Sequence, residues 1–235
     1  MKPRPGVVCS LLVICANTGF AQGLEDRRWR FSSQAVFKNQ HVWRGFVESR
    51  QPTTIVEATL AYGGLEMNLE NVISGHPKFA GYWAESVIHP RYTRRFGKFE
   101  TSVGWRLKRF PSRRGQPASG TNEGYAQISF PGTLNPTYTI VRDVQLGSGW
   151  YQHLQLLHPV RLSRRVTLEG MAGIGLNQHY FIKQTTVSDV SYGLAARISV
   201  TSSFGFAPFY NYIFGHRSIF GRRHVIGVSV VLGSE

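Results

Sequence analysis

Polar and apolar residues alternate along this chain with a period of two, and they do so most cleanly over 188–200. Val190, Tyr192, Leu194, Ala196, Ile198 and Val200 fall on one side, with Asp189, Ser191, Gly193, Ala195, Arg197 and Ser199 on the other. Successive side chains of a strand point to opposite faces, so the pattern predicts a strand with one apolar face and one small or polar face. At about 3.3 Å per residue such a strand is long enough to cross a tilted bilayer span. The run 99–108 repeats it: Phe99, Thr101, Val103, Trp105 and Leu107 alternate with Glu100, Ser102, Gly104, Arg106 and Lys108. Charges on the second face do not suit a dry core but do suit a wet lumen.

The same reading predicts further strands over 29–46, 55–62, 65–69, 79–92, 124–130, 136–142, 150–157, 166–176, 206–214 and 224–232. Over 150–157 the faces are ambiguous, because Leu154, Leu156 and Leu157 do not alternate. The expected total is twelve. Gly63 and Gly64 supply a tight hairpin turn, and 110–122, rich in Pro, Ser, Gly and Arg, reads as the longest loop. Short turns after even strands and longer polar connections after odd ones match the asymmetry of outer-membrane barrels, whose short turns are periplasmic. A soluble sandwich would show the same alternation with its faces reversed. Strand length, the small or charged second faces and aromatics near strand ends (Trp29, Tyr62, Trp105, Trp150, Tyr180, Tyr192) favour the membrane. The expected fold is therefore all-β: one domain, a transmembrane antiparallel barrel. Val103, Trp105, Leu168, Ile174, Leu194 and Ile198 should face lipid.

Residues 1–21 read as a signal peptide and 22–235 as the barrel. Lys2 and Arg4 precede an apolar run over 6–15, and the small residues Gly19 and Ala21 mark a cleavage point. Both cysteines, Cys9 and Cys15, fall inside this leader, so the mature chain is expected to lack disulfides and thiol chemistry. A formal net charge of +14 raises nucleic acid as a partner, but export argues against it. The exported partners of a basic surface are lipopolysaccharide phosphates, acidic polysaccharides or small anions, and for the outer loops the lipopolysaccharide phosphates are a suitable counterpart. Arg113, Arg114, Arg217, Arg222 and Arg223, all on predicted outer loops, could contact them in bidentate fashion.

With the strands placed, several segments resemble a known group. Val42, Trp43, Arg44, Gly45 and Phe46 followed by Pro52 are similar to the first hairpin of the TorF-like family of outer-membrane porins. Asn135, Pro136 and Thr137 leading through Asp143, Gly149, Tyr151 and His158, and the closing run 227–230, resemble the same family. The resemblance implies a twelve-stranded barrel of the outer membrane with a pore function.

From alternation, Glu57, Glu66, Glu100, Arg106, Lys108, Glu169, Asp189 and Arg197 should line the lumen. The expected function is a porin-like channel for passive passage of small hydrophilic solutes, with no enzymatic activity and no cofactor. Its expected partners are outer-membrane lipid, lipopolysaccharide and the barrel-assembly machinery. A non-conducting barrel that binds through its basic loops is the alternative. A third reading, a lipid A-modifying enzyme, would use His216 and Ser218 but lacks a nearby carboxylate to orient the base. Gly170, Gly173 and Gly175 have the wrong spacing for a phosphate loop, and His89, His153, His158 and His179 show no metal-ligand spacing.

Overall fold

The structure, a computed structural model, describes residues 28–44, 46–76, 79–110, 118–145, 147–180, 182–215 and 221–233. Its strands are β1 (Trp29–Lys38), β2 (His41–Trp43), β3 (Phe46–Ser49), β4 (Thr53–Tyr62), β5 (Leu65–His76), β6 (Phe79–Phe96) and β7 (Phe99–Phe110). They continue as β8 (Ser119–Ser129), β9 (Thr137–Asp143), β10 (Trp150–Arg161), β11 (Val166–Gln178), β12 (Thr185–Ser199), β13 (Phe204–Gly215) and β14 (Arg222–Gly233). Twelve of them, all but β2 and β3, close into one antiparallel barrel in which β1 pairs with both β4 and β14. Closure leaves no sheet edge with unpaired backbone groups, which a lipid environment requires.

Alternation sets the two faces of the wall. Val103, Trp105, Ile174 and Leu194 are exposed on the outside, and Leu168 and Ile198 share that face half-covered by their neighbours. The outer surface is a continuous apolar belt, and most spanning strands have ten or more residues, enough to cross a bilayer. At one end the strands are joined by tight turns. Gly63 takes φ +56° between Tyr62 and Leu65, and Gly97 takes φ +57° between Phe96 and Phe99, values an L side chain adopts at a cost. At the other end the connections are longer, and the first of them contains β2 and β3.

That first connection corrects the expectation of a single strand over 29–46. The spanning strand stops at Lys38, and β2 and β3 form a separate two-stranded hairpin. The hairpin packs against the inner wall. Val42 packs with Val36, Ile55, Val72, Ile213 and Val225, while Trp43 joins Val87, Tyr125, Val141, Tyr151 and Tyr180. The loop expected over 110–122 is shorter, since Phe110 closes β7 and β8 begins at Ser119. The ambiguity over 150–157 resolves as Leu154 and Leu156 facing out and Leu157 facing in, against the cluster around Val42. Tyr180, grouped with the interfacial aromatics, is instead buried inside.

Candidate functional site

The inner wall is mixed, apolar where Val36, Ile55, Val72, Ile213 and Val225 meet Val42 and charged around Glu123, and the hairpin carries a cation and an indole to the charged part. Arg44 sits at the hairpin tip with φ 43°, a left-handed conformation that is costly for a non-glycine residue. Its guanidinium lies 3.9 Å from the Trp43 ring centroid, 4.8 Å from that of Tyr151 and 5.0 Å from that of Tyr180. Both of its terminal nitrogens donate to Glu123, Nη1 to Oε1 at 3.4 Å and Nη2 to Oε2 at 3.2 Å. Arg44 and Glu123 also share the Tyr180 hydroxyl. The planar fork of Arg suits this bidentate contact.

Glu123 is fully buried on β8, and its register partner across β7 is Arg106. Arg106 Nη1 lies 3.6 Å from Oε2, and Lys108 Nζ lies 2.9 Å from Oε1. The Lys108 ammonium is close enough for an ion pair yet lies outside hydrogen-bonding angles, so its hold on Glu123 is Coulombic. It also faces the Trp43 ring at 4.4 Å. Three cations thus converge on one carboxylate, so the charge of Glu123 is well compensated while the cluster keeps an excess of positive charge.

Around this centre local hydrogen bonds hold further side chains of the wall. Thr121 Oγ1 donates to Asp143, and Tyr151 and Ser188 hydroxyls donate to Asp189 Oδ1 at 3.3 and 2.7 Å. At the base of the hairpin, His41 Nε2 meets Glu48 Oε2 at 2.9 Å. Burial, then Lys38 and Lys108, holds His41 well below the ordinary histidine range, and burial, then Glu85, raises Glu48 well above the carboxylate range. Both shifts act against the charged forms of the two groups.

The eight residues expected to line a lumen sit as follows. Glu57 is buried beside its register partner Glu70, Glu66 pairs with Arg91 at 2.6 Å, and Glu169 pairs with Arg197 at 2.6 Å. Glu100 is half-buried opposite Arg95, Arg106 and Lys108 flank Glu123, and Asp189 accepts the two hydroxyls above. The Arg222 and Arg223 pair splits: Arg222 points outward, 6.0 Å from the Phe214 ring centroid, whereas Arg223 occupies the inner phase of β14. Arg113, Arg114, Arg217, His216, Ser218 and the whole leader lie outside the described residues.

Of this centre the alternation marks Arg106 and Lys108 but not Glu123 or the inward position of Arg44. Glu123 lies within β8, beside the loop expected over 110–122, and Trp43 and Arg44 belong to the inner hairpin rather than to the end of the first spanning strand. The usable signal was a Trp-Arg pair placed after the alternation of β1 had ended at Lys38. Among the described residues no group of His, Cys, Asp and Glu could hold a metal ion.

No protein-family model and no curated protein matches the chain. Solved structures do match in fold. The NanC porin has a TM-score of 0.58 at 9% identity, over 86% of this chain and 98% of that one. The KdgM porin has 0.54 at 9%, over 85% and 97%. An outer membrane channel from Pseudomonas putida F1 has 0.58 at 7%, over 87% and 95%. The chain has the fold of an outer-membrane porin-like β-barrel.

Proposed function

We propose that the protein is a porin-like channel of the outer membrane through which small hydrophilic solutes pass passively, with its narrowest point at the β2–β3 hairpin. One observation carries this reading: a hairpin inside a closed barrel presents Arg44 to Glu123, Arg106 and Lys108 on the charged part of the inner wall. Selectivity in such a pore comes from width and from the charges that line it, and no chemistry is required. Glu57, Glu66, Glu100, Glu169, Asp189 and Arg197 would line the rest of the path. The tight turns at Gly63 and Gly97 are assigned to the periplasm and the long connections to the outside, as in barrels of this kind. Residues 1–21 would serve as the cleaved export signal.

A second reading has support of its own. Lys108 and Glu123 are completely buried, as they would be in a barrel held shut by its hairpin. Swelling of proteoliposomes in sugars of increasing size separates the two. A channel gives swelling rates that fall steeply with solute size. A barrel that stays shut gives rates equal to those of empty liposomes for every sugar.

A further inference from the structure

The outer wall has an electrostatic asymmetry of its own. Every carboxylate on the described spanning strands is on the inner face, from Glu57 on β4 to Asp189 on β12. The charged residues on the outer face are arginines: Arg94 at the turn end, and Arg109, Arg142 and Arg222 at the loop end. Among the described residues none of these four has a carboxylate within ion-pairing distance. A guanidinium beside hydrocarbon is costly to leave without a counter-charge, so the anion has to come from the surroundings.

One of them sits in a prepared setting. Trp105, Gly124, Arg142 and Trp150 form a single lateral row across β7, β8, β9 and β10. The Arg142 guanidinium lies 4.9 Å from the Trp150 ring centroid. Gly124 lets the Trp105 ring lie flat on the wall, since a Cβ there would stand 2.8 Å from the ring. One step towards the loops, Asn122 donates to Gln145 at 3.0 Å while its Oδ1 is buried with no partner among the described residues. The row thus offers a planar cation for a phosphate and two indole surfaces for the apolar face of a sugar ring.

We propose that the outer wall around Arg142, between Trp105 and Trp150, binds the phosphorylated sugar headgroup of an outer-leaflet glycolipid of the lipid A class. Guanidinium against phosphate is bidentate and charge-assisted, and an arginine held against an aromatic ring keeps its fork in a fixed direction. Arg109, nearer the loops on β7, adds a second positive charge on the same side of the barrel. The assignment of this rim to the outer leaflet rests on the orientation proposed above, and the test is independent of whether the pore conducts.

Native mass spectrometry of the detergent-purified full chain, titrated with diphosphorylated lipid A and with the same lipid after phosphatase treatment, tests the site. The unmodified protein should keep one lipid A and bind the dephosphorylated form about tenfold less well, the scale of one charged hydrogen-bonding contact. Arg142→Gln should lose a similar factor, Arg142→Lys should recover part of it, and Trp150→Ala should weaken both lipids. Arg94→Gln places the same change at the opposite rim, beside Phe96, and should leave binding unchanged. Heat-dependent gel mobility checks that each variant is folded. Equal binding of the two lipids, equal binding by Arg142→Gln, or a loss at Arg94 as large as at Arg142 would overturn the proposal.

Discussion

Replacing Arg44 by Ala should release the hairpin from the barrel interior without disturbing the wall. Arg44 belongs to the hairpin, and its bidentate contact to Glu123 ties the tip to β8. Removing one partner of a buried, hydrogen-bonded charge pair costs about 2–5 kcal/mol. Lys108 and Arg106 remain beside Glu123, so the lower end of that range applies. The lost stacking on Tyr151 and Tyr180, which stay with the barrel, adds roughly 1 kcal/mol. A total near 3–4 kcal/mol corresponds to a shift of a few hundredfold in the seating equilibrium, at about 1.4 kcal/mol per factor of ten. The reporter is Val42→Cys, a buried site on the hairpin. The native cysteines, Cys9 and Cys15, both precede residue 22 and are expected to leave with the signal segment. When opening is fast relative to modification, the rate of labelling by an impermeant maleimide follows the released population. It should rise by that factor in Arg44→Ala and by less in Arg44→Lys. An unchanged labelling rate in Arg44→Ala would show that the Arg44–Glu123 contact does not hold the hairpin.

Further outcomes follow from the same geometry. Changing Arg106, Lys108 and Arg197 together to Gln leaves Glu169 without its partner and Glu123 with Arg44 alone, so the reversal potential in a salt gradient should move towards cation preference. The shift should shrink between 0.1 and 1 M salt as the Debye length falls from about 10 to 3 Å, and no shift at low salt would remove these residues from the conducting path. Leu194→Arg puts a charge on the lipid face and should lower the unfolding free energy in vesicles by about 2–4 kcal/mol if the site is near the midplane. No loss in a denaturant titration would contradict the assignment of that face. Gly149→Ala would bring a Cβ within 2.1 Å of the Gln178 carbonyl oxygen, so backbone has to move, and the barrel should melt earlier by about 1–3 kcal/mol. Gly132→Ala meets nothing within 4 Å and should leave the melting unchanged.

The wall of this barrel was legible because alternation reports the one thing that matters to a strand between two media, which side each residue takes. Trp105 and Leu194 outside, Arg106 and Asp189 inside, follow from it directly. Alternation carries no information about where a connection goes once the strand has ended. The hairpin that enters the barrel therefore read as a continuation of β1. Its partner Glu123 was hidden by the neighbouring Pro, Ser and Gly residues, which suggested a loop while β8 had begun at Ser119. Tyr180 misled for a different reason. An aromatic at the end of a strand suits a membrane interface and a packed lumen equally well, and only the hairpin's position decides between them. Leu157 looked like a fault in the pattern until the inner wall proved to carry an apolar cluster at that level.

The central claim, that this is a channel whose narrowest point is the hairpin, is tested most directly by the conductance of the purified protein in planar lipid bilayers. The account predicts discrete conductance steps from the unmodified chain, and a larger step or longer openings from Arg44→Ala. Silent membranes from both proteins, with each shown by gel mobility to be folded, would contradict it and leave a barrel that does not conduct.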